Sequence, residues 1–199
     1  MSTHNVFPLE ELNLRLSNVR SEMNKANIDG IVITIPENIY YLTELDHWGF
    51  FACHLLVVPR EGEMVLVCRA MERITVENQV KNARFFGHAD YEDPADYVVS
   101  ALSELGLMRS RIGMEKSSLF LTAKLSESIQ AKTPNVEWQD TSSLVSELRL
   151  VKSNLEMEYV RKAAKAADAG MISAINTIRE GASDYEVCAE CSRAMILAG

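Results

Sequence analysis

The sequence predicts an α/β fold, a mixed sheet flanked by helices. Three observations predict it. Short apolar or β-branched runs alternate with helical patterns over the first 140 or so residues. Two of those runs, 50–58 and 64–69, are joined by Pro59-Arg60-Glu61-Gly62-Glu63, which carries hairpin chemistry, Gly62 supplying a turn position open to positive φ. The run Ile31-Val32-Ile33-Thr34-Ile35 is nearly continuous, as expected of a strand buried on both faces beneath helices.

The elements follow in order. Leu9, Leu12, Leu16, Val19, Met23 and Ala26 recur at three- and four-residue steps and form one stripe of a first helix. Pro8 suits its first turn, and Glu10 and Glu11 favour the positive end of its dipole. Gly30 closes that segment, and Pro36 stops the strand that follows it. After the hairpin come a helix over about 70–80, a strand at 84–86 and a helix at 94–105, opened by the N-cap pair Asp93-Pro94. A strand at 111–115, a helix over about 119–131 and a strand at 136–138 complete the alternation. Thr141 to Val151 reads as a helical connector. A long helix spans 154–179, with Val160, Ala163, Ala164, Ala167, Met171, Ala174, Ile175 and Ile178 on one face. Gly181 breaks it, Ser183 and Glu186 stand at capping-box spacing, and a last helix runs to about Leu197.

Residues 1–150 can close a core of their own, whereas 151–199 offer two helices with apolar faces and no sheet to cover. The second stretch is therefore read as a linker and the opening helices of a truncated second domain. A formal charge of -8 repels duplex phosphates, which argues against nucleic-acid binding. No apolar run reaches the length of a membrane span, and the N-terminus lacks the basic start and apolar core of a signal peptide. Four cysteines at 53, 68, 188 and 191 are too sparse for a disulfide scaffold, so reduced thiols and a cytoplasmic setting are expected.

Four stretches carry a family likeness. Arg15-Leu16 and Val19-Arg20 lead into Ile28-Asp29-Gly30-Ile31; Pro36 to Thr43 contains Asn38-Ile39-Tyr40-Tyr41-Leu42-Thr43; Leu148-Arg149-Leu150-Val151-Lys152-Ser153 precedes Glu156; and Gly181 precedes Asp184 and Glu186-Val187. In this order and spacing they resemble the N-terminal region of the creatinase/Xaa-Pro peptidase family, which includes prolidases, aminopeptidase P and ectoine-hydrolase-like enzymes. The resemblance implies a ribonuclease-H-like mixed sheet over 1–150, followed by the first two helices of a pita-bread catalytic domain over 151–199. It also implies that the family's catalytic metal ligands lie beyond the stretch matched here. A parent peptidase would need two divalent metals (Mn, Co or Zn), and a creatinase-like parent none. Where the family has Gly after Tyr-Leu-Thr, this chain has Glu44, which does not reach positive φ cheaply, so a different path is expected for 44–49.

The resemblance further implies a homodimer in which a loop of one subunit reaches over its partner's catalytic cleft. On that basis His47 and Trp48, beside Asp46, are candidate substrate-gating residues supplied in trans; the alternative is a surface loop whose aromatic side chain tucks onto the sheet. Arg69 ends a strand and is a candidate donor to a substrate carboxylate, or else an ion-paired strand end. His54 is expected to be a satisfied, half-buried strand residue, and His88, near Asp90, a loop residue. Cys188 and Cys191 share a helix face and are expected to be small buried hydrophobes. The chain alone is expected to be inactive, its parent acting on dipeptides or small C–N compounds such as creatine or ectoine. A free-standing interaction or dimerisation module is the alternative.

Overall fold

A computed structural model describes residues 6–199, so Met1–Asn5, the start of the segment read above as lacking a signal sequence, lie outside the described residues. The chain divides into two compact units, ending and beginning at Leu150 and Val151.

The first unit is built on a six-stranded mixed sheet ordered β4-β3-β2-β1-β5-β6. Its strands are β1 (Gly30–Ile33), β2 (Leu55–Pro59), β3 (Met64–Arg69), β4 (Ala83–His88), β5 (Arg111–Met114) and β6 (Glu137–Asp140). β2 runs antiparallel to both β1 and β3, whereas β4 is parallel to β3 and β5 and β6 continue parallel to β1. The helices are α1 (Leu9–Lys25), α2 (Pro36–Thr43), α3 (Arg73–Gln79), α4 (Pro94–Glu104), α5 (Ala123–Lys132) and α6 (Leu144–Leu148).

Strand alternation splits the apolar runs between two cores. Ile31, Ile33, Leu56, Val58, Met64, Leu66 and Cys68 face a core closed by Val19 and Met23 of α1, Ile39 and Leu42 of α2, Val76 of α3 and Val145 of α6. Val32, Leu55, Val57, Val65 and Val67 face the other, closed by Ala95, Val98 and Leu102 of α4 and Ile129 of α5. Burial on both faces is why β1, β2 and β3 read as continuous apolar runs rather than alternating ones.

Several element bounds differ from the sequence reading, each for a local reason. Residues 50–58 do not form one strand: Trp48–Phe51 is a 3-10 turn capped by His47, and β2 starts only at Leu55. At Gly49 a Cβ would stand 2.5 Å from both Glu72 Oε1 and the His47 ring, so a larger residue there would have to displace those side chains. Pro8 is the N-cap of α1 rather than its first helical residue, and Pro36 does more than stop β1, because it opens α2. α5 begins at Ala123, where the Thr122 hydroxyl accepts from the Leu125 N–H.

Glu44 adopts the left-handed conformation itself, with φ 59°, despite its side chain. Its carboxylate offsets the strain by accepting the Val6 and Phe7 backbone N–H groups, both at 2.7 Å.

In the second unit, α7 (Asn154–Thr177) and α8 (Asp184–Ala198) pack against each other. A full capping box opens α7, Ser153 and Glu156 each satisfying the other's backbone N–H. At α8 only half of the expected box forms: Ser183 accepts from the Glu186 N–H, while the Glu186 carboxylate pairs with Arg179 at 2.6 Å. The face of α7 that meets α8 is not the large apolar stripe seen in the sequence. It is the small-residue face around Gly170, where a Cβ would come within 2.4 Å of Met195 Cγ, and Val160, Met171, Ile175 and Ile178 are left exposed. Cys188 is exposed and Cys191 half-buried, so the pair is not the buried hydrophobic couple expected.

Candidate functional site

One edge of the sheet gathers the candidate residues. Because β2 alone runs against the others, the carboxyl ends of β1, β3, β4 and β5 and the start of β2 meet there. Open α/β sheets bind ligands at such an edge, where chain reversals leave crevices between loops. His47 and Trp48 lie just before β2, Arg69 ends β3, and His88 ends β4 rather than lying in a loop.

The loop bearing His47 and Trp48 is tied down at three points. The Asp46 N–H donates to Gln79 Oε1 at 2.7 Å and the Asp46 carbonyl accepts from Gln79 Nε2 at 2.9 Å, clamping the loop to α3. His47 Nδ1 accepts from the Gly49 N–H at 3.0 Å and lies 3.3 Å from Glu72 Oε2. Phe50 meets Phe120 edge to face, with centroids 5.7 Å apart. Phe50 is thus the aromatic side chain packed inward. Trp48 stacks on it at 6.3 Å and remains 85% exposed.

Arg69 is held by Asp90 in a bidentate pair, Nε to Oδ1 at 2.7 Å and Nη2 to Oδ2 at 2.6 Å. That pair holds the Asp90 carboxyl below its ordinary range, chiefly through the Arg69 hydrogen bond. It also leaves Nη1 as the edge of Arg69 that a ligand carboxylate would use. Arg69 and the His47–Trp48 loop therefore share an edge of the sheet, but the guanidinium is committed to Asp90.

His54 departs furthest from expectation. It is 4% exposed, precedes β2 instead of lying within it, and its ring interacts with the Phe50 backbone without forming a well-aligned hydrogen bond. Its ring stands edge-on to His47, with centroids 5.1 Å apart and planes at 76°. Burial and then the neighbouring His47 lower its pKa to about 4, partly offset by the Phe50 backbone. The sequence reading also missed Glu72, Gln79 and Phe120, which hold the loop. These contacts span 25 to 70 positions, and no local periodicity reports them.

Glu115, just past β5, is fully buried behind this edge. Its Oε2 accepts the Thr34 and Ile35 N–H groups at 2.7 and 2.8 Å, and its Oε1 accepts Asn38 Nδ2 at 2.6 Å. Asn38 Oδ1 in turn accepts from Arg149 at 2.7 Å. Desolvation nevertheless raises the Glu115 pKa, opposed by those hydrogen bonds. Asn38 and Arg149 belong to two of the four stretches that carry the family likeness, and this network is what joins them.

The divalent metals that the resemblance implies for a peptidase parent find no ready cage: no cluster of three or more His, Cys, Asp or Glu is arranged to hold a cation among the described residues. No helix of the described residues is long and apolar enough to cross a membrane.

Comparison with known proteins matches residues 15–151 to the creatinase/prolidase N-terminal domain. The chain is 32% identical over 183 residues to an ectoine hydrolase of Halomonas elongata, covering 87% of this chain and 46% of that protein. It is 27% identical over 190 residues to a creatinase of a Bacillus species, covering 96% and 46%. Among solved structures, the Xaa-Pro dipeptidase of Bacillus anthracis superposes with a TM-score of 0.76 at 23% identity, over 94% of this chain and 50% of that one, a likeness of fold. The chain thus spans about half the length of the curated relatives it matches. With the mixed six-stranded sheet, the flanking helices and the matched span together, the chain belongs to the creatinase/prolidase N-terminal domain family.

Proposed function

We propose that this chain acts as the non-catalytic N-terminal domain of a longer cytoplasmic hydrolase, one that cleaves Xaa-Pro dipeptides or small C–N compounds such as creatine or ectoine. In a homodimer, the loop of one protomer would overhang the substrate entrance of its partner, with Trp48 and His47 as gate residues and Arg69 Nη1 as a carboxylate donor. The observation that carries this reading is Trp48: an indole left 85% exposed on a loop fixed by Gln79, Glu72 and Phe120. Leaving so large an apolar surface in water is unfavourable, and fixing it there is worthwhile where another surface or a ligand receives it. The residues after 150 then serve as the opening helices of the catalytic half.

In the full-length protein, Trp48→Ala should raise KM or lower kcat for the preferred substrate without changing the melting temperature. An unchanged kcat/KM would remove the gate from the account. The 199-residue chain alone should hydrolyse none of these substrates, with or without added manganese or cobalt. A free-standing interaction or dimerisation module is the second reading, favoured by the apolar residues that α7 and α8 leave exposed, Met171, Ile172, Ile175 and Tyr185 among them. It would be preferred if the natural full-length product hydrolysed none of these substrates.

A further inference from the structure

The gate loop leaves α2 through Glu44. Only Leu45 separates that residue from Asp46, whose backbone is clamped to Gln79. Glu44 is left-handed, with φ 59°, a conformation that glycine adopts freely and that other residues keep only when their surroundings over-determine it. If that torsion relaxed, the chain would leave α2 in another direction. Whatever holds Glu44 therefore aims the loop that carries His47 and Trp48.

What holds it lies 37 and 38 positions upstream. Val6 and Phe7 both give their backbone N–H groups to Glu44 Oε1, each at 2.7 Å. Phe7 is buried, and the Arg15 guanidinium of α1 lies over its ring at 4.0 Å and over the Tyr41 ring of α2 at 4.7 Å. Arg15 Nη1 also donates to the Tyr41 carbonyl at 3.0 Å, and the Glu11 carboxylate stands 3.3 Å from Nη2. The segment at Val6–Phe7, α1 and the last turn of α2 are thus fastened together at the root of the loop.

We propose that Val6 and Phe7 form a strap which, seated on Arg15 and tied to Glu44, positions the gate loop by holding Glu44 left-handed. Glu44 and Arg15 are positioning residues: they touch no substrate and act on Trp48 through the backbone between. The use of this arrangement to an enzyme rests on the gate reading above. The placement of Asp46 and Trp48 within this chain does not, so the two can fail separately.

Amide hydrogen exchange and proton–nitrogen NMR of the 199-residue chain test the strap. In the unaltered chain the Val6 and Phe7 amides should exchange at least about 10-fold more slowly than in an unfolded peptide. Glu44→Ala removes the acceptor and keeps a Cβ. It should erase that protection, speed exchange of the Asp46 amide roughly 10-fold or more, and shift the Trp48 indole N–H signal. The Trp138 indole, which donates to Thr133 Oγ1, should stay where it is. Glu44→Gly should free Val6 and Phe7 as fully, yet leave Asp46 and Trp48 as in the parent, because glycine keeps the turn unaided. Unprotected Val6 and Phe7 amides in the unaltered chain would overturn the strap, even if the alanine variant fails to fold. An alanine variant with parental Asp46 and Trp48 signals, or a glycine variant as disturbed there as alanine, would overturn its positioning role.

Discussion

Replacing Glu115 by alanine tests the physical argument for the carboxyl edge of the sheet. The carboxylate accepts three donors, the Thr34 and Ile35 N–H groups and Asn38 Nδ2, at a fully buried position. Removing it strands all three. Each buried donor without a partner costs about 1–3 kcal/mol, and deleting one member of a buried charged network costs about 3–5 kcal/mol. The raised pKa moderates the sum, because the ionised carboxylate is itself penalised by desolvation. The expected loss is therefore about 3–4 kcal/mol, a large fraction of the roughly 5–15 kcal/mol that holds a domain together. For a domain of this size that corresponds to a fall of roughly 10 °C in Tm. Glu115→Gln keeps an acceptor for the two backbone donors but turns an amide NH2 toward Asn38, so it should lose only about 1–2 kcal/mol. Urea and thermal denaturation followed by circular dichroism give both values. An alanine variant within 1 kcal/mol of the parent, or a glutamine variant as damaged as alanine, would refute the assignment of Glu115 as the clasp between β1, α2 and β5.

Other outcomes follow from the same structure. His54 should make the domain acid-sensitive: its pKa falls from the ordinary 6.5 to about 4 on folding, so stability is complete above pH 6.5 and is lost as pH drops toward 4. The loss amounts to about 3 kcal/mol by linkage, and urea titrations across that range should show His54→Phe without it. Glu115 works with the opposite sign, since a carboxyl raised by burial favours the folded state as pH falls through its folded pKa. A thiol reagent added to the native chain should modify Cys188 first and should reach Cys53 and Cys68 only on unfolding, because burial pushes both of the latter up to about 12. Trp48→Ala should change stability by less than about 0.5 kcal/mol, as expected of an exposed side chain, and should remove the solvent-exposed component of the indole fluorescence.

Much of the fold is legible where side chains repeat with the period of their own element. The stripe of α1 from Leu12 through Val19 to Met23 is buried as its spacing requires, and the unbroken run at Ile31 to Ile33 does lie between two cores. The reading fails where distant residues decide. Residues 50–58 read as one strand by composition, yet Trp48–Phe51 is a 3-10 turn capped by the His47 side chain and β2 starts only at Leu55. On α7, counting large apolar residues picks the wrong face, because helices approach most closely over glycine and alanine. At the candidate site, His47 and Trp48 are picked out through the family likeness and Arg69 by its place at a strand end. The burial of His54, the Gln79 clamp and the Asp90 partner of Arg69 depend on packing across the fold that no single segment records. Glu44 shows that a residue type poorly suited to a left-handed turn can hold one when its own side chain satisfies nearby backbone groups.

In the proposed homodimer, Trp48 acts on a neighbouring protomer rather than on its own. Two full-length variants, one carrying Trp48→Ala and one disabled in its catalytic half, should each be weak or inactive alone. Mixed and allowed to exchange, half the dimers become hybrids in which one catalytic half is served by one intact loop, so activity should return to about a quarter of the parent value. A mixture no more active than the mean of its two components would contradict the claim.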